Sequence, residues 1–146
     1  MLVYATFLLA ALGGVAAANR TLLWSVVQVC VANHQLTGAA FPCLEVDTSK
    51  GEARGFVTIR APLEKTHIIV SPTAKIEGIE SPVLQSPAAP NFFDDAWRAR
   101  HYVIESAAGS VEDQKIGLAV NSLPGRTQDQ LHIHVDCVRD AYASEL

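Results

Sequence analysis

The run Gln130-Leu131-His132-Ile133-His134-Val135-Asp136-Cys137 alternates polar and apolar side chains with a period of two. That period predicts a strand. Gln130, His132, His134 and Asp136 then share one face, while Leu131, Ile133 and Val135 point into a core. Four polar groups, two of them imidazoles, line up on a rigid element. Three readings of that face are open from spacing alone. It is a solvated strand face, a zinc site in which His132, His134 and Asp136 supply three ligands with Cys137 on the wrong side to join them, or a face carrying a nucleophilic histidine.

The chain enters this strand through Asn121-Ser122-Leu123-Pro124-Gly125-Arg126-Thr127-Gln128-Asp129, a turn rich in Gly, Pro and hydrogen-bonding side chains. Such a loop is either an ordinary surface hairpin or an anion cradle. For the second, Gly125 permits close backbone approach, Arg126 offers a planar fork for phosphate oxygens, and Asn121 and Thr127 add neutral donors. Next to two strand histidines, the combination points to phosphoryl or nucleotidyl transfer.

The stretch from Gly125 to Val135 resembles the histidine triad (HIT) superfamily, whose pattern is a glycine, a polar residue and Ser or Thr, then three alternating histidines. Ser81-Pro82-Val83-Leu84, Pro90-Asn91-Phe92-Phe93, Ala96-Trp97-Arg98-Ala99-Arg100, Leu118 to Ser122 and Gly125-Arg126-Thr127-Gln128 are similar to the CDP-diacylglycerol pyrophosphatase family, from about Cys30 onward. The resemblance implies a HIT-like fold and hydrolysis of CDP-diacylglycerol to CMP and phosphatidate, with no cofactor and no metal. It makes His132 the nucleophile that forms a nucleotidyl-histidine intermediate, and His134 a contact to the phosphate oxygens. Asn121, Arg126 and Thr127 become substrate-binding residues. A departure lies at Gln130, where the superfamily has its first histidine. An amide donates a hydrogen bond but cannot relay a proton, although the backbone carbonyl of residue 130 can still orient His132. A phosphatidate leaving group needs little acid help.

Phe56 to Pro62 and His67 to Pro72 resemble the superfamily's nucleotide-side strands. There His67 is either a substrate-binding histidine or one satisfied within the sheet. The acidic residue that commonly holds ribose is missing around Thr58 to Arg60. Asn91 as N-cap, Asp94 and Asp95 in the first turn and the apolar residues beyond predict a helix over Pro90 to Ala107. Arg98 and Arg100 are assigned to its solvated face. With strands around Glu52 to Ile59, Thr66 to Ser71, Gly117 to Asn121 and Leu131 to Val135, this indicates an α+β domain on an antiparallel sheet with a packed helix.

Leu2 to Ala18 carries no charge, and Ala16-Ala17-Ala18 offers a small-residue cleavage pattern. The run is slightly short for a full membrane span, about 17 residues being the lower limit. A cleaved signal peptide and a single N-terminal anchor compete for residues 1–18. The resemblance, to inner-membrane enzymes facing the periplasm, favours the anchor and makes the membrane a partner. Residues 19–146 form one domain, C-terminally short against the enzymes it resembles. Cys30 and Cys43 bracket a short loop that a disulfide could close in an oxidising compartment, at about 3 kcal/mol. Three single bridges are open to three cysteines, and Cys137 reads as a core thiol. The net charge of −4 argues against broad nucleic-acid binding. HIT relatives often dimerise, and no sequence feature decides that here. Two other functions stand beside the pyrophosphatase: a nucleotide-binding remnant without activity, and a metal protein using His132, His134 and Asp136.

Overall fold

A computed structural model describes residues 20–107, 112 and 115–138, so the leader lies outside the described residues. The first described element is a helix the sequence did not announce, α1 (Leu22–Thr37). Its core residues Leu23, Val27, Cys30 and Val31 fall on one helical stripe. That stripe is masked in the sequence because α1 carries no Asp, Glu, Lys or Arg and continues the apolar run before it. The helix ends at Gly38, whose φ of 77° allows its N–H to return to the His34 carbonyl at 2.8 Å. Among the described residues no helix is long and apolar enough to cross a membrane.

Strands β1 (Glu45–Asp47), β2 (Phe56–Arg60), β3 (Ile68–Pro72), β4 (Ile116–Ala119) and β5 (Ile133–Cys137) form one antiparallel sheet in the order β1-β2-β3-β5-β4. The α+β architecture with a packed helix is as the sequence indicates. Several boundaries move: β3 begins at Ile68 and not Thr66, β4 ends at Ala119 and not Asn121, and the His strand begins at Ile133 and not Leu131. Glu52 to Arg54 is a 3-10 turn rather than the start of β2, β1 was not foreseen, and the His strand runs on to Cys137. The helix expected over Pro90 to Ala107 is two, α2 (Phe92–Arg98) and α3 (His101–Ser106). Asn91 caps α2 as expected, its side chain accepting from the Asp94 N–H at 3.2 Å.

The two sheet faces are covered differently. Ile68, Val70, Ile133 and Val135 pack with Phe92, Ala96, Ala99 and Val103 of α2 and α3 into the main core. On the other face α1 covers only the β1–β2 side, where Val27, Cys30 and Val31 meet Cys43 and Val57. The β3–β5 half of that face is left for a cleft. Arg98 and Arg100 belong to the first face, where Arg98 pairs with Asp94 and Asp95 and Arg100 lies 4.5 Å from the Trp97 ring.

Cys30 and Cys43 are joined in a disulfide, which staples α1 to the loop before β1. Cys137 is free and half-buried against the main core. With 13 residues of separation, the bridge restricts the unfolded chain by about 3 kcal/mol. Cys30→Ser is expected to lower the thermal midpoint by roughly 10 °C. A scan of the unmutated protein with and without reductant should reproduce that shift.

Candidate active site

Register carries the site histidines to the face that α1 leaves open. His134 pairs with Ile69 of β3 and Ala119 of β4, and Ile133 and Val135 on either side of it are fully buried in the main core. His134 therefore points to the α1 side. His132 precedes β5 on the same side, its ring edge-on to His134 with centroids 4.9 Å apart.

Gln130 is completely buried (0% exposed) and works with both ends. Its side-chain amide donates to the carbonyls of Pro72 (3.0 Å) and Ala74 (2.9 Å) and accepts from the Ile76 N–H (3.4 Å). Its main-chain carbonyl lies 2.6 Å from His132 Nδ1. A carbonyl oxygen only accepts, so Nδ1 carries the proton and Nε2 keeps its lone pair. The Leu131 carbonyl is held in turn by the Ser71 hydroxyl at 2.8 Å.

His67, from the connection between β2 and β3, adds a third imidazole that the His strand lacks. Its Nε2 is 2.9 Å from His134 Nδ1, and His134 Nε2 is 3.4 Å from the Asn121 side-chain nitrogen. With Asn121 donating, His134 Nε2 accepts and Nδ1–H donates to His67; turning the amide over reverses both bonds together. Burial, then the neighbouring His132 and His67, push His134 down to about 4. It is neutral near pH 7.

As pH falls from 6.5 toward 4, the unfolded chain takes up a proton at residue 134 that the folded chain refuses. Stability is expected to decline through that window and to be undiminished above it. His134→Gln should flatten the slope of the thermal midpoint between those pH values. Asp129 acts in a lower window, because its bond to Arg20, more than any other cause, holds it at about 2. Its contribution is present above the ordinary value of 3.8 and is lost as pH drops toward 2.

Arg126 sits elsewhere than a free phosphate fork would. Its guanidinium is buried against Glu80 and reaches Asp129 at 3.3 Å. Gly78 makes room, since a β-carbon there would collide with that guanidinium. Gly125 has no such close neighbour, so the tight approach lies at Gly78. Asp129 also binds Arg20 through two oxygens at 2.6 and 2.8 Å, and Gln128 accepts from the Leu23 N–H at 2.9 Å. The loop before the His strand is thereby latched to the start of α1.

Asp136 is drawn away from the histidines. Its carboxylate accepts from Thr66 Oγ1 at 2.7 Å and from the Cys137 N–H at 2.8 Å. Among the described residues no group of three His, Cys, Asp or Glu has metal-holding geometry, which corrects the alternative built on His132, His134 and Asp136.

His132 and His134 form one end of a cleft of about 280 Å³. Leu22, Leu23 and Val26 of α1 make one wall, Ile59, Pro62 and Ile69 another, and Arg60, Thr127 and Gln128 add polar groups. Thr127 is exposed there. The α1 residues were missed by sequence reasoning, which had no charge pattern to separate the helix from the leader. The geometry supplies an imidazole held at Nδ1, a second imidazole beside it that is neutral near pH 7, and an apolar slot with a polar rim, which suits a planar, partly polar ligand.

A family model described as CDP-diacylglycerol pyrophosphatase matches residues 18–146. The chain is 38% identical over 122 residues to the CDP-diacylglycerol pyrophosphatase of Yersinia pestis, covering 83% of this chain and 46% of that protein. It is 40% identical over 131 residues to the "Probable CDP-diacylglycerol pyrophosphatase" of Mycobacterium leprae (strain TN), covering 89% and 47%. The chain thus spans about half the length of these curated relatives.

Proposed function

Since the chain belongs to the CDP-diacylglycerol pyrophosphatase family, we propose that it hydrolyses CDP-diacylglycerol to CMP and phosphatidate through a nucleotidyl intermediate on His132. The observation that carries this is the 2.6 Å bond from His132 Nδ1 to the Gln130 carbonyl, which leaves Nε2 as the nucleophilic nitrogen. His132 Nε2 attacks the phosphorus on the nucleoside side. A P–N bond forms, the anhydride P–O bond breaks, and phosphatidate departs with the electron pair. The proton on Nδ1 stays, and the Gln130 carbonyl stabilises the cationic ring. Water then attacks the same phosphorus, the P–N electrons return to Nε2, and the water proton is released with CMP.

Phosphatidate is a good leaving group, so the loss of a histidine at position 130 removes little from the first step. His134, neutral at the working pH, reaches the phosphoryl oxygens by exchanging its 3.4 Å contact with Asn121 for the substrate: Nε2–H donates to the phosphate while Nδ1 accepts from His67 Nε2–H. Asn121 and Thr127 steady the phosphates, and Arg126 serves by holding the loop that carries Thr127. The cleft against α1 takes the nucleoside, its base lying on Ile59, Ile69 and Val26.

Rapid quenching during turnover, followed by mass spectrometry of the peptide containing His132, tests the mechanism. A CMP adduct on that histidine is expected. CMP release with no adduct would refute the covalent step, and nucleotide binding without CMP release would refute the activity. The Cys30–Cys43 bridge and the uncharged run Leu2 to Ala18 support placement at an inner membrane with the domain in the periplasm, in phospholipid metabolism. Protease sensitivity of the domain in spheroplasts checks that placement.

A further inference from the structure

The connection between β2 and β3 shows a residue where its chemistry is least expected. Ala61-Pro62-Leu63-Glu64 closes a tight turn, with the Glu64 N–H on the Ala61 carbonyl at 3.3 Å. Pro62 and a positive φ of 65° at Leu63 make it a type II turn, whose third position ordinarily takes glycine. Here it carries leucine, wholly exposed at 107%. Backbone sterics and water both oppose that choice. The turn is nevertheless firmly held, because Arg60 donates to the carbonyls of Lys65 (2.9 Å) and Thr66 (3.1 Å), and the Ala61 N–H to that of His67 (3.1 Å).

The turn stands at the mouth of the catalytic cleft. Pro62 lines that cleft, and so does Leu22 of α1, itself 56% exposed. Lys65 is exposed two residues from Leu63, with Glu64 exposed between them, and the uncharged run Leu2 to Ala18 joins the chain just before Leu22. We propose that the β2–β3 turn docks on a phospholipid bilayer, Leu63 entering the boundary of the acyl chains with Lys65 at the lipid phosphates. This rests on the nucleotide-lipid reading of the site. The scissile diphosphate of such a substrate lies at headgroup level, so the cleft must open onto the bilayer surface to reach it. Exposed apolar side chains with a lysine nearby at its mouth are what that surface accepts.

Leu63→Gly removes the side chain and suits the backbone better, so the thermal midpoint should not fall. On phosphatidylcholine vesicles containing CDP-diacylglycerol, the full chain with this change should show a KM raised roughly tenfold or more, with kcat unchanged. Hydrolysis of soluble CDP-glycerol should be unaltered. An unchanged KM on vesicles, or an equal loss on CDP-glycerol, would overturn the proposal. Leu63→Trp reads the contact without turnover: its fluorescence should be quenched by brominated acyl chains, and the absence of quenching beyond that of Trp24 and Trp97 would overturn it. A lipid-free dimer that Leu63→Gly abolishes would assign the turn to a second copy instead. If the unmutated chain hydrolyses neither substrate, the proposed function fails while the quenching result still decides the bilayer contact.

Discussion

With His132 replaced by alanine, CMP release from CDP-diacylglycerol is expected to fall roughly 10⁴-fold or more, with the fold retained. Among the described residues the ring is hydrogen-bonded from Nδ1 to the Gln130 carbonyl. Losing that bond at a buried carbonyl costs about 1–3 kcal/mol, small next to the chemical loss. The residual imidazoles do not substitute. His134 is tied at both nitrogens, to His67 and Asn121, and its lone pair is a weak base held at about 4. His134→Ala should therefore retain more activity than His132→Ala, since it removes a hydrogen bond and not the bond-forming atom. Unchanged CMP release from the purified His132→Ala protein, measured beside its circular dichroism, would end the assignment.

Gln130→Ala is expected to be the most damaging change to the fold near the site. It orphans the carbonyls of Pro72 and Ala74 and the N–H of Ile76 and leaves a cavity in a fully buried place. Each unpaired buried group costs about 1–3 kcal/mol and the void adds to that, so a loss of about 4 kcal/mol is expected by denaturant titration. The activity should fall as well, because peptide 130 carries the oxygen that fixes the His132 tautomer. Gln130→His, which puts at position 130 the first histidine of the HIT pattern that the stretch Gly125 to Val135 resembles, is expected to destabilise too. A neutral imidazole offers one donor and one acceptor to a place that asks for two donors and one acceptor. A variant with higher activity than the parent would show that the histidine's chemistry outweighs the amide's clamp.

Particular residues show how much of this was legible in advance. The His strand was, because two-residue periodicity depends only on neighbours in the chain, and it placed Leu131, Ile133 and Val135 in the core correctly. The Asn91 cap was legible for the same local reason. Arg126 was not: its partner Glu80 is 46 residues away, and a Gly-Arg-Thr turn reads alike whether the guanidinium faces a ligand or a buried carboxylate. His67 was noticed, but its approach to His134 depends on β3 lying beside β5, a non-consecutive pairing.

By itself the sequence determined what short-range alternation, capping chemistry and motif spacing can encode: an α+β domain, a strand with His132 and His134 on one face, and the family to which those motifs point. Only the tertiary structure decided that α1 walls the cleft, that Gln130 is a buried clamp, that Asp136 turns away, and that Leu63 stands exposed at the rim. These depend on contacts between distant segments, where burial and hydrogen-bond satisfaction select one partner among many that local pattern allows.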